Sequence, residues 1–100
     1  MANPKHFEIF KCSVKEWNKW RENNLDIRVD LSGADLRYIE ARNINLENGI
    51  LNGARLNDAI LDLADLKGAN LRNAQLTGAS LFRTDFYGAD LGGADLIQQT

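Results

Sequence analysis

One residue type returns at every fifth position from Val29 to Leu96, and this period restricts the possible folds more than any other feature of the chain. Positions ending in 1 or 6 read Leu31, Leu36, Ala41, Leu46, Leu51, Leu56, Leu61, Leu66, Leu71, Leu76, Leu81, Phe86, Leu91 and Leu96, and twelve of these fourteen are leucine. Two places earlier in each unit runs a second series, Val29, Ala34, Ile39, Ile44, Gly49, Ala54, Ala59, Ala64, Ala69, Ala74, Ala79, Thr84, Ala89 and Ala94, of which nine are alanine. In a straight α-helix, residues five apart are rotated by roughly 140°, so the leucines would scatter around the axis. In a straight strand they would alternate between faces. Only a backbone that turns a corner once per five residues gathers all of them along one internal axis. Leucine and the smaller residue two places before it then point inward together and fill a narrow lumen.

The remaining positions carry the polar residues such a coil needs outside. Asp30, Asp35, Asn45, Asp65, Asn70, Asp90 and Asp95 precede the central residue, and Arg37, Asn52, Asn57, Lys67 and Arg72 follow it. Short Asp and Asn side chains at that place are expected to accept hydrogen bonds from the backbone of the next corner. Glycine at Gly33, Gly53, Gly68, Gly78, Gly88 and Gly93 marks corners with positive φ.

Ala34-Asp35-Leu36, Ala64-Asp65-Leu66-Lys67-Gly68, Ala69-Asn70-Leu71-Arg72-Asn73 and Ala89-Asp90-Leu91-Gly92-Gly93 resemble the A(D/N)LXX unit of the pentapeptide repeat proteins. The resemblance covers about seventy residues in unbroken register. It implies an all-β solenoid, a right-handed quadrilateral parallel β-helix with four units per coil. Fourteen units then give three and a half coils, roughly 17 Å of stack at ~4.8 Å per layer.

Residues 1–28 stand apart as an N-terminal helical cap, and residues 29–100 form the repeat region. Asn3 and Pro4 start a helix. Phe7, Phe10, Val14, Trp17 and Trp20 form its apolar stripe, which is expected to lid the first coil. Ser13 and Glu16 have capping-box spacing, so the leader is either one helix or two that break near Cys12. Asn23 and Asn24 end it. The leader also resembles, at His6, Ile9, Val14, Trp17-Asn18-Lys19-Trp20-Arg21, Asn24, Asp26-Ile27 and Asp30-Leu31, one that precedes the repeats in many bacterial members. Ser13, Leu25 and Val29 stand where that pattern has glycine and two prolines.

Composition narrows the function. The leader carries six basic and four acidic residues and the repeats six basic and ten acidic, a balance unsuited to nucleic acid. Cys12 is the sole cysteine, so no intramolecular disulfide forms. There is no 18-residue apolar run or signal-like leader, and the chain reads as cytoplasmic with no membrane association. No nucleophile with its base, metal-ligand spacing or phosphate-cradling loop is present, so neither enzymatic activity nor a cofactor is expected. His6 reads as a solvated or cap-packing side chain.

A non-enzymatic scaffold for protein contact is the leading reading. Ile60, Leu63, Phe82 and Tyr87 are candidates for a partner surface around one corner, although the partner is unknown. Ala41 in a leucine position reads as a volume exchange with Ile39 and Ile44, not as a ligand cavity. Four residues follow Leu96, too few to close the last coil. Phe86, Leu91 and Leu96 are therefore expected to be covered, either by a second copy in a homodimer or by a further segment of chain. The alternatives to a scaffold are a duplex-like binder of DNA gyrase, as the resemblance permits, and an N-terminal module of a larger signalling protein.

Overall fold

Corners define the architecture. The structure, a computed structural model, describes residues 1–97. In each five-residue unit the chain turns at the two residues after the central one, and the second of these has positive φ in every unit from Gly33 to Gly93. Glycine supplies that conformation at six corners, as the sequence suggests, while Asn43, Asn48, Asp58 and Asn73 tolerate it with short polar side chains. Tyr38, Leu63 and Arg83 adopt it as well, which sequence preference does not anticipate. For such residues the conformation costs roughly 1–2 kcal/mol, so closure of the coil overrides local preference.

Between corners the main chain pairs with itself twenty residues later. Ten parallel bridges run from Asp30↔Ile50 to Gln75↔Asp95, and five-residue sides with a twenty-residue return make a coil of four sides. The Leu31 N–H donates to the Ile50 carbonyl at 2.8 Å, and the Ile50 N–H donates back to the Val29 carbonyl at 2.8 Å. Each bridge is a single residue pair, so among the described residues no continuous strand forms. Pairing stays at isolated bridges because a corner arrives before a second residue pair can align.

Stacking places Leu46, Leu66 and Phe86 in one inner column. Every central residue from Leu31 to Leu76 is at most 2% exposed, Leu51, Leu56, Leu61 and Leu71 among them, and the alanines beside them are buried too. Leu81, Phe86, Leu91 and Leu96 are only half-buried. Ala41 and Ile44 are buried and Ile39 is half-buried against the core, and an open cleft of about 290 Å³ lies between them and the Phe10–Val14 segment.

Gly68 offers a test of the corner geometry. It has φ +67°, and a Cβ there would collide with Asn48 Oδ1, whereas a Cβ on Gly33, with the same φ, would meet nothing within 4 Å. Gly33→Ala should therefore cost about 1 kcal/mol in urea unfolding, and Gly68→Ala only a few tenths more, because the Asn48 side chain makes no hydrogen bond among the described residues and can swing aside.

The leader forms two helices, α1 (Pro4–Phe10) and α2 (Val14–Glu22). Asn3 caps α1 by accepting from the Lys5 and His6 N–H groups, and Pro4 at the first turn has no N–H to leave unpaired. Ser13 caps α2, with its Oγ accepting from the Glu16 N–H at 3.1 Å. Glu16 in the first turn of α2 and Lys19 and Arg21 in its last complement the helix dipole. Phe10 and Trp17 enter the main core, while Phe7, Val14 and Trp20 are half-buried against it.

Candidate functional site

The first coil has an open upper edge, and the leader closes half of it with polar side chains. At the Asp30 side, the Asp30 carbonyl accepts from the Asn3 N–H at 2.9 Å, and the Asp30 N–H donates to His6 Nδ1 at 3.0 Å. At the Asn45 side, Trp17 Nε1 donates to the Asn45 carbonyl at 2.6 Å and the Asn45 N–H donates to Asn18 Oδ1 at 2.8 Å. Asn18 Nδ2 also donates to the Asn43 carbonyl, and Arg21 Nη2 to the Glu47 carbonyl. The sides at Asp35 and Glu40 find no such partners for their N–H and carbonyl groups among the described residues. Ion pairs Asp35–Arg37 at 2.8 Å and Glu40–Arg42 at 3.1 Å flank that edge, and charge of this kind discourages edge-to-edge pairing. The apolar stripe is thus only part of the cap. Asn18 and Arg21 lie beside and one turn after Trp17, a placement that shows their shared direction once the edge is known.

His6 makes this closure sensitive to pH. It is 8% exposed and meets the Trp20 ring at a tilt of 53°, with centroids 5.4 Å apart. Burial lowers its pKa, opposed by the Asp30 carboxylate and reinforced by Lys5 and Arg21. Protonated Nδ1 cannot accept the Asp30 N–H. With the folded pKa below the unfolded value, the contribution is complete above about pH 6.5 and is lost as pH falls toward the folded pKa. Trp17 and Trp20 fluorescence is expected to change across that window in the wild type and not in His6→Gln, while the far-UV spectrum of the repeats persists.

The outer residue before each centre behaves as the sequence suggests. Asp30, Asp35, Asn45, Asp65, Asn70, Asp85, Asp90 and Asp95 each accept from the N–H two residues on. The Arg37 guanidinium, aided by the Arg37 N–H, holds Asp35 down at about 2. At Asp30 burial pushes upward but is outweighed by the Ser32 N–H and hydroxyl. Ser80 replaces the usual Asp, and Asp62 of the coil above accepts both the Ser80 hydroxyl and the Phe82 N–H. The Ser80 bond leads in keeping that carboxyl below the usual range. These carboxylates serve turns, and among the described residues no group of three His, Cys, Asp or Glu is placed to hold a metal ion.

The expected partner surface divides. Leu63 and Phe82 share a corner, with the Leu63 N–H donating to the Phe82 carbonyl at 2.8 Å, and they are 49% and 62% exposed. Tyr87, 82% exposed, lies at the next corner, where its carbonyl accepts from the Gly68 N–H. Ile60 is half-buried on the preceding side. Tyr87 separates from the predicted group of four, because residues 82 and 87 differ by one whole unit and so fall at different corners, while Ile60 borders the Leu63–Phe82 corner.

The lower end of the coil is more open. Among the described residues the N–H groups of Phe86 and Leu91 and the carbonyls of Thr84 and Ala89 have no partner. Gln98, Gln99 and Thr100, part of the short tail expected to leave this coil uncovered, lie outside the described residues. No helix among the described residues is long and apolar enough to cross a membrane.

The model of the family described as pentapeptide repeats matches residues 27–62 and 59–96, with eight copies. The chain belongs to the pentapeptide repeat family. Its two-helix leader fits the N-terminal element that the sequence resembles in other members. This pentapeptide repeat protein is similar to the solved pentapeptide repeat protein Rfr23 from the cyanobacterium Cyanothece 51142, with 39% identity over 66% of this chain and 48% of that one, at TM-score 0.48. It is similar also to alr5209 from Nostoc Pcc 7120, with 28% identity over 82% and 74% of the two chains, at TM-score 0.46. A third is HetL of Nostoc sp. strain PCC 7120, described as involved in heterocyst differentiation regulation, with 37% identity over 71% and 35%, at TM-score 0.42. The pentapeptide repeat chain therefore spans about half of Rfr23 and about a third of HetL. A comparison with curated proteins finds no match.

Proposed function

We propose that this pentapeptide repeat protein is a non-enzymatic scaffold for protein contact in the cytoplasm, built on a right-handed coil of about three and a half turns. It self-associates through the coil containing Phe86, Leu91 and Leu96. One observation carries the reading: a single inner column passes from Leu46 and Leu66, both 0% exposed, to a half-buried Phe86. Half-buried core residues beside unpaired backbone form a surface that a second copy covers favourably. Leu63 and Phe82 offer a smaller apolar contact for a different protein. The outer faces interleave opposite charges, as in Lys67 with Asp65 and Asp85 and Arg72 with Asp90, which favours a scaffold over a duplex-like gyrase binder.

Light scattering at micromolar concentration should give a dimer for the wild type and a monomer of unchanged far-UV spectrum for Leu91→Lys. A wild type that is monomeric with intact fold would contradict self-association. If the natural chain continues beyond these residues, the same surface would instead be covered within one molecule, and the longer chain would be the monomer.

A further inference from the structure

Arg21 is a buried charge with, among the described residues, no acid beside it. It is 4% exposed, and Nη1 and Nη2 donate to the neutral carbonyls of Ile27 and Glu47 at 2.8 and 3.2 Å. Its Nε is buried with no acceptor. Among the described residues no carboxylate lies within ion-pair distance of it. Fastening the leader to the first coil accounts for its two terminal nitrogens. It leaves a buried positive charge without an opposite charge, an arrangement that is costly unless something compensates it.

A pocket of about 370 Å³ adjoins this guanidinium, lined by Arg21, Leu25, Asp26, Ile27, Arg28 and Asn48. Arg28 is exposed, and its Nε donates to the Asn48 carbonyl at 2.8 Å. That bond fixes the second guanidinium at the pocket wall and leaves its two terminal amino groups uncommitted among the described residues. Two positive side chains face one acid, Asp26, so the pocket carries a net positive charge. Leu25, 76% exposed, and Ile27, 36% exposed, add an apolar border.

We propose that this pocket binds a small phosphomonoester. Arg28 contacts the phosphate oxygens directly, Arg21 holds them through its uncompensated charge, and Leu25 and Ile27 cover the organic part. The Arg28 guanidinium matches the geometry of a phosphate, the buried Arg21 charge adds attraction without a direct contact, and the pocket volume exceeds that of the bare ion. The site is independent of self-association, since it lies where leader and first coil meet, at the opposite end of the coil from Leu91.

Isothermal titration of the full chain at low ionic strength, with inorganic phosphate and glycerol phosphate as separate titrants, tests this. Saturable one-site binding is expected, tighter for glycerol phosphate. Arg28→Gln, at an exposed position, should keep the far-UV spectrum and weaken binding about tenfold, whereas Asp26→Asn should strengthen it. Absence of saturable binding, or an unchanged affinity in Arg28→Gln, would overturn the site. Equal affinity for the two titrants would overturn the organic half of the ligand.

Discussion

Replacing Trp17 by alanine is expected to lower the free energy of unfolding by about 3–5 kcal/mol. The indole is 0% exposed and meets the Phe10 ring edge-on at 5.3 Å and Trp20 at 5.5 Å. It joins the leader's stripe to the leucine column, so its removal leaves a cavity at the joint of the two regions. Its Nε1–H is also the donor for the Asn45 carbonyl, which would be left without its protein partner. Trp17→Phe keeps most of the packing and loses the bond with part of the ring volume, so it should cost less, about 2–3 kcal/mol. Against a typical total of about 5–15 kcal/mol for a small domain, the alanine variant should show early exposure of Trp20 in urea. A loss below about 1 kcal/mol would mean that the leader does not dock as described.

A second large effect is expected in the middle of the column. Leu66 sits between Leu46 and Phe86 in register, 0% exposed, with a layer above and a layer below that cannot close on an empty position because each is held by bridges. Leu66→Ala should cost about 2–5 kcal/mol. Leu91→Ala, at a half-buried position, should cost less than about half as much in a monomer. In a dimer joined at that end the gap narrows as protein concentration rises. Urea unfolding of both variants at two concentrations therefore reads core packing and self-association in one experiment.

The inner columns and the outer row of turn-capping carboxylates were legible because every unit places the same residue type at the same address. Sequence reading was equally able to locate the leader's start at Asn3 and Pro4, since these caps act on their own neighbours. Closure of the upper edge was not legible. It joins Trp17 to Asn45, Asn18 to Asn43 and Arg21 to Glu47, and which carbonyls face out of the first coil is known only once the coil is built. Positive φ at Tyr38, Leu63 and Arg83 was hidden for a related reason: the demand comes from returning the chain to its column, not from the residue. The separation of Tyr87 from Phe82 needed only the arithmetic of five. The missing leucine at Ala41 was legible, but the cleft beside it was not, because it depended on where the break between α1 and α2 fell.

The most direct measurement of the five-residue corner is the thermal unfolding midpoint of two insertion variants made at one place, after Asp58. One variant duplicates the unit Ala54-Arg55-Leu56-Asn57-Asp58, and the other inserts a single alanine. The whole unit adds one side and returns every later leucine to the interior, so its midpoint should stay within about 5 °C of the wild type. The single residue turns Leu61 and all later central residues off the column, so cooperative unfolding should be lost or shifted far down. Equal midpoints for the two variants would contradict a backbone that bends once per five residues.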